Sequence, residues 1–318
     1  MARNAPVESR ERNLYERDFF LLWAGAAISL SEIWAGGLLA SFGLAAGLGI
    51  ILLGHLLGNT PMALGGLIGS RHGVPAIVST RGALGNRGSV LPAVLNVVQL
   101  VGWTAVMLWI GGQAAAGLAG GKAAARGWIL LLGALTTLWA LAGSRAWKGL
   151  QKIGVVLLLG LSLAMTGLAL RTYGGRDLLA VRPVPAMSVM LGLDLVIAMP
   201  ISWLPLVSDY TRYAAVPGHG IRGTWWGYFL ISSWMYAVGL VAAIATGSGA
   251  PPALAEGLLD GGADLGEVHL AGVARLEEAH DLAHVAHGAR ARLGHGRGHR
   301  LLDLRVGELA GEIVLDDD

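Results

Sequence analysis

The sequence predicts an all-α, multi-pass membrane protein of about seven transmembrane helices, the first and sixth of them discontinuous. Three observations carry this. Of 318 residues, 54% are hydrophobic and 14% charged, with a mean hydropathy of +0.59, whereas soluble domains average roughly 25% charged residues. The apolar residues gather into runs close to the ~20 residues that a helix needs to cross a ~30 Å hydrocarbon core. Two of those runs, five spans apart, hold an acid together with residues that weaken or interrupt a helix.

Residues 1–18 form a polar leader with Arg3, Arg10, Arg12 and Arg17. Span one, Phe19–Gly43, carries a single charge, Glu32, near its middle. An ionised group at that depth costs about 2.5–3.5 kcal/mol, so it should face a bundle interior or a water-filled cavity. Ser29 and Ser31 precede it and Gly36 and Gly37 follow. Irregular backbone at membrane depth survives where it is buried in protein or lines a cavity. Two readings stay open at each place: Glu32 is part of a binding site or, protonated, bonds a neighbouring helix, and the glycines mark a break or allow close packing.

Span two, about Leu48–Gly69, has Gly54 and Gly58, and again Gly65 and Gly69, at the small-xxx-small spacing that lets helices approach closely. His55 inside it reads as a packing residue rather than a ligand. Residues 70–90 form a loop punctuated by Gly and Pro, with Arg71, Arg81 and Arg87. Span three covers about Leu91–Leu118. Asn96, Gln99, Trp103 and Met107 recur there at steps of three and four and so share one face. Two amides and an indole are costly against lipid, so the face points inward, either as a cavity wall or to hydrogen-bond another helix.

Span four covers about Trp128–Ala142 and span five about Ile153–Leu170. Span six, Met187–Ser208, contains Asp194, Pro200 and Pro205. Each proline removes a backbone donor and obstructs the helix. Transporters built from inverted repeats place substrate and ion between two broken helices in corresponding positions, and spans one and six have that offset. Span seven covers about Thr224–Thr246. The loops on the N-terminal side of the membrane hold 12 Lys+Arg and those on the other side 5, which predicts a cytoplasmic N-terminus.

The remainder, residues 248–318, differs in kind from the transmembrane domain, residues 19–247. Up to residue 247 the chain holds all 21 aromatics, 17 of the 23 Lys+Arg and 8 of the 21 Asp+Glu, a balance of +9; the tail has a balance of −7 and six of the nine histidines. So abrupt a change of composition suggests a truncated or frameshifted C-terminus, with a soluble regulatory tail as the alternative. Within the tail, His280 and His284 in HDLAH, with His287 beyond, imitate a helical zinc site, but Asp281 stands where the zincin pattern requires Glu. No metal site is expected. Cysteine is absent, which excludes disulfide and thiol chemistry. Residues 1–247 offer no paired nucleophile and base, so a membrane-embedded enzyme is disfavoured.

Taken in order, GAAISLSEIWAGG, GVPAIVSTRGALGNRGS, LPAVLNVVQLVGWTAVM and SWLPLVSDYTRYA resemble the nucleobase:cation symporter-1 family over about residues 15–247, most closely its hydroxymethylpyrimidine branch beside the cytosine permeases. The resemblance implies a LeuT-like fold of two inverted five-helix repeats, partial here, and symport of a pyrimidine-type ring with H+ or Na+ across the cytoplasmic membrane. It implies that Trp103 stacks on the ring, that Glu32 supplies a polar contact, and that Trp203 is an aromatic partner. Many relatives have Gln where this chain has Met107, so that ring contact is missing or comes from Gln99 or Asn96. Asp209 and Arg212 in SDYTRYA resemble a signature at the cytoplasmic end of span six, either as a gate or as an ion pair closing the helix. Spans eight to twelve of the family pattern are missing, which implies a chain that transports poorly, or an inert membrane fragment of such a transporter. The expected partners are a small ring, the coupling cation and the bilayer. No other cofactor and no nucleic acid are expected, and the oligomeric state stays open.

Overall fold

A computed structural model describes residues 5–119, 125–141, 144–172, 175–181 and 187–246. The tail and its HDLAH motif lie outside the described residues. The described elements are helical, apart from an isolated bridge between Leu14 and Ala214.

Span one is two helices, α1 (Glu16–Ala27) and α2 (Leu30–Gly37), followed by a 3-10 turn, Leu38–Phe42. α1 starts where the Asp18 carboxylate accepts the Tyr15 N–H at 2.8 Å, a capping contact at the positive helix end. Ile28 and Ser29 are extended, and Ser29 Oγ then accepts the Glu32 N–H at 3.3 Å to cap α2. The break therefore falls at the serines. Gly36 and Gly37 are helical, and Gly36 is there for packing: a β-carbon on it would overlap the Tyr236 backbone.

Span two is one helix, α3 (Gly43–His72), longer than expected and continuous through Pro61. It ends at Gly73, whose φ of 69° is left-handed and whose N–H closes on Gly69 O at 2.8 Å. The expected loop at 70–90 instead folds into two short helices, α4 (Ala76–Ser79) and α5 (Arg81–Gly88). Span three is α6 (Val90–Leu118) and span four α7 (Ala125–Leu141). α8 (Ser144–Thr172) begins earlier than the predicted span five, and a short α9 (Gly175–Ala180) follows it.

Span six is α10 (Val189–Ile201) and α11 (Leu204–Thr211). Pro200 sits inside α10 without ending it, and the break comes at Ser202 and Trp203, just before Pro205. Asp194, expected to help interrupt this span, is exposed in the middle of α10. α12 (Pro217–Thr246) is span seven, longer at its start than predicted. By length and apolarity, Leu30–His72, Val90–Leu118, Val189–Thr211 and Pro217–Ala245 suffice to cross a membrane, with Ala125–Leu141 and Ile153–Leu168 as shorter apolar helices.

The core is built on two central helices. α12 packs on α1, α2 and α3, while α3 packs on α10 and α11. The glycine pairs of α3 serve the second set: β-carbons at Gly58 and Gly69 would stand 2.7 Å from Ile197 O and from Ser208 O, so only glycine permits this backbone approach. The polar residues of the seam bond across it, with Ser208 Oγ donating to Gly65 O at 2.9 Å and Thr211 Oγ1 to Gly66 O at 2.6 Å. The leader is docked. Val7 N–H donates to Gly73 O at 2.9 Å, Leu14 N–H to Tyr213 O at 3.0 Å, and Arg12 bonds the carbonyls of Ser70 and Arg212. Arginine meets the carbonyl ends of both helices there, where the helix dipoles favour a cation.

Candidate functional site

The two breaks face one cavity of about 160 Å³. From the first helix pair come Ala26, Ser29, Ser31 and Glu32, and from the second Met199, Ser202, Trp203 and Leu206. α6 closes another side with Gln99, Leu100, Trp103 and Met107, and α12 adds Tyr228. Of the residues read from the sequence, Glu32, Gln99, Trp103, Met107 and Trp203 thus converge on one space.

The other three do not. Asn96 is buried on α6 and lies outside the cavity lining. Asp209 and Arg212 lie in another region. Asp209 Oδ1 accepts the Ala76 N–H at 3.2 Å, at the start of α4, and Arg212 Nε donates to the Asp209 carbonyl at 3.2 Å while its guanidinium lies 5.1 Å from the Tyr213 ring centre. This pair organises the docked loop and leader rather than the cavity wall.

The break between α10 and α11 explains the Gln99 contact. Where the ladder fails, Leu206 N–H turns to Trp203 O at 2.9 Å, and Ser202 O accepts Gln99 Nε2 at 2.6 Å instead. Both readings of the α6 face therefore apply to one residue, which lines the cavity and bonds a neighbouring helix. Replacing it, Gln99→Ala, is expected to destabilise the protein by about 1–3 kcal/mol through the unmet carbonyl. Thermal unfolding in detergent checks this, and an unchanged Tm would show that the carbonyl is satisfied without the amide.

Both readings of Glu32 also meet. Its side chain reaches the cavity, yet its carboxyl group is bonded to α12: Tyr228 Oη donates to Oε1 at 2.7 Å, and Ser232 Oγ lies 2.8 Å from Oε2. Ser232 Oγ is in turn 2.6 Å from His55 Nε2, and His55 Nδ1 is 2.9 Å from Ile51 O. His55 is thus a fully bonded core residue one step from Glu32. Behind Trp203 stands Trp23, which is fully buried and makes edge contacts with Trp203 at 5.4 Å and Tyr228 at 6.2 Å. Such contacts fix the indole and phenol orientations.

Tyr228 and Ser232 were not singled out from the sequence. A signal was present: Tyr228, Ser232 and Tyr236 recur every four residues along an apolar span, the same pattern that exposed the inward face of span three.

Paired broken helices around an aromatic cavity with one buried acid define the architecture of a membrane transporter. Comparison with known proteins supplies the family. Residues 6–256 match the family described as permease for cytosine/purines, uracil, thiamine, allantoin, and the chain belongs to that family. It is 28% identical over 264 residues to the cytosine permease of Escherichia coli K12, covering 79% of this chain and 60% of the relative. It is 27% identical over 111 residues to the purine-uracil permease NCS1 of Arabidopsis thaliana, covering 34% of this chain and 18% of the relative. In structure it resembles Mhp1, a nucleobase-cation-symport-1 family transporter. The TM-scores are 0.68 for the closed conformation with bromovinylhydantoin bound and 0.73 for the inward-facing one, each at 19% identity and covering 86% of this chain and 64% of Mhp1. The chain thus spans about three fifths of the length of the cytosine permease and of Mhp1 that it matches.

Proposed function

We propose that the chain binds a neutral, planar pyrimidine-type ring, cytosine or a hydroxymethylpyrimidine, in this cavity, as the substrate site of a cation symporter of the cytoplasmic membrane with its N-terminus inside the cell. The convergence of Trp103, Trp203, Gln99 and Glu32 on one cavity between the two helix breaks carries the reading. Indole faces offer broad apolar contact to a flat heterocycle, and a few polar groups then fix its orientation. A space of about 160 Å³ is below the roughly 300–1,000 Å³ of sites for drug-sized ligands, which suits a single small ring. Among the described residues, Glu32 is the one carboxylic acid in the lining and no Lys or Arg accompanies it, so ring N–H donors are favoured and anionic rings are not.

Binding of labelled cytosine to the purified chain tests this. Cytosine or hydroxymethylpyrimidine should compete, and the carboxylated pyrimidine orotate should not. Absence of binding by both neutral rings, or equal competition by orotate, would overturn the reading.

A further inference from the structure

The bonded chain behind Glu32 carries information that ring binding does not use. Glu32, Tyr228, Ser232 and His55 are all at most 2% exposed, so their donors and acceptors must be matched, and Ser232 and His55, which lie behind the cavity lining, must be matched within the protein. A carbonyl only accepts, so the contact to Ile51 O places a proton on His55 Nδ1. Tyr228 donates to Glu32 Oε1. What remains is Ser232, whose single hydroxyl proton faces Glu32 Oε2 at 2.8 Å and His55 Nε2 at 2.6 Å.

If Glu32 is ionised and His55 neutral, both of those atoms only accept. Ser232 can then satisfy one, and its oxygen lone pairs face those of the other at hydrogen-bond distance. One added proton resolves the conflict in either of two ways. On Glu32 it lets Oε2–H donate to Ser232 and Ser232 donate to Nε2, leaving no charge in the core. On Nε2 it lets the imidazolium donate to Ser232 and Ser232 donate to the carboxylate. Both arrangements hold the same number of protons and satisfy every contact; the first also avoids burying two charges.

The other titratable groups facing this chain are on α12: Tyr228, already bonded to Glu32, and Tyr236, edge-on to the His55 ring at 4.9 Å. On α10, packed against α3, the acid Asp194 is exposed. Among the described residues no Lys or Arg forms an ion pair with Glu32 that would stabilise a bare carboxylate.

We propose that Glu32, Ser232 and His55 form a site for one proton in the cavity wall, and that this proton is the coupling ion. The second half of this rests on the symport reading above. Release transfers the proton from Glu32 Oε2 to water in the cavity, leaves the carboxylate behind, and breaks one of the two Ser232 bonds. That severs a link from α12 either to α2, half of a broken helix, or to α3. Proton occupancy thereby becomes a change in how the cavity wall is held.

The test uses the purified full chain. Infrared spectra at neutral pH should show a protonated carboxyl band that is lost in Glu32→Gln, and the histidine ring nitrogens seen by NMR should show a proton on His55 Nδ1. As pH rises, the two signals should change at one shared midpoint. An imidazolium beside an ionised Glu32 would equally place one proton in the site. Ionised Glu32 beside neutral His55 at neutral pH, in the unmutated chain, would overturn the proposal. Ser232→Ala should split the midpoint in two, and Ser232→Thr should restore it. Cytosine affinity should fall about tenfold or more through the midpoint, within the usual range of coupling between sites. Cytosine binding that ignores the midpoint would overturn the coupling role, whereas a titrating site without cytosine binding would count against the ring reading alone.

Discussion

Trp103→Ala is expected to weaken binding of cytosine or a hydroxymethylpyrimidine by one to two orders of magnitude while leaving the protein folded. Stacking of a base on an aromatic side chain is worth about 1–3 kcal/mol, and tenfold in affinity is about 1.4 kcal/mol. The indole lines the cavity on α6, a helix outside the central contacts of α12 with α1, α2 and α3, so its removal enlarges the cavity more than it disturbs the core. Equilibrium binding of labelled cytosine, alongside the Tm of the same preparation, measures both. Unchanged affinity would remove the stacking argument, and Trp203 would then be the remaining indole in the lining. Trp103→Phe should recover part of the loss, because a smaller π-face remains.

Gly36→Val is expected to abolish stable folding, and its effect should be the largest of any change to a single glycine in span one. A β-carbon there overlaps the backbone of Tyr236, which no rotamer change can move. α2 must then leave α12, and the Glu32 contacts with Tyr228 and Ser232 go with it. Overpacking in a tight core commonly costs ~1–3 kcal/mol and more where backbone must shift, to which the loss of buried hydrogen bonds adds. Gly25→Ala is the control: nothing lies within 4 Å of a β-carbon at that position of α1, and alanine favours the helix by about 1 kcal/mol. Gel filtration in detergent and thermal unfolding should show aggregation or a large drop in Tm for the first and no loss for the second. Comparable stability of the two would mean that α2 and α12 are not in contact.

Much of the site was legible in the residues. Pro200 and Pro205 located the interruption of span six, and three of the four positions read on one face of span three, Gln99, Trp103 and Met107, reached the cavity. Glycine spacing on span two marked a close contact, made with α10 and α11. The errors share a cause. Gly36 and Gly37 could mark a break or a contact because glycine serves both, and the cap by Ser29 decided it. Asn96 has the right phase on α6 but the wrong height for the cavity, a distinction that periodicity does not make.

The sequence by itself determined the membrane-crossing architecture, the two interrupted helices, the aromatic residues between them and the family. The first three follow from local physics: the length of an apolar run, the missing donor of a proline, the cost of polar groups facing lipid; the family came from the resemblance of four motifs read in order. Only the tertiary structure decided what Glu32 touches. Its partners Tyr228 and Ser232 lie 196 and 200 residues away, and His55, which stood in the sequence as a lone histidine, becomes the end of a hydrogen-bonded chain. A sequence shows which face of a helix is polar. Which helix meets that face, and which donor meets which acceptor, depends on packing contacts between segments far apart in the chain.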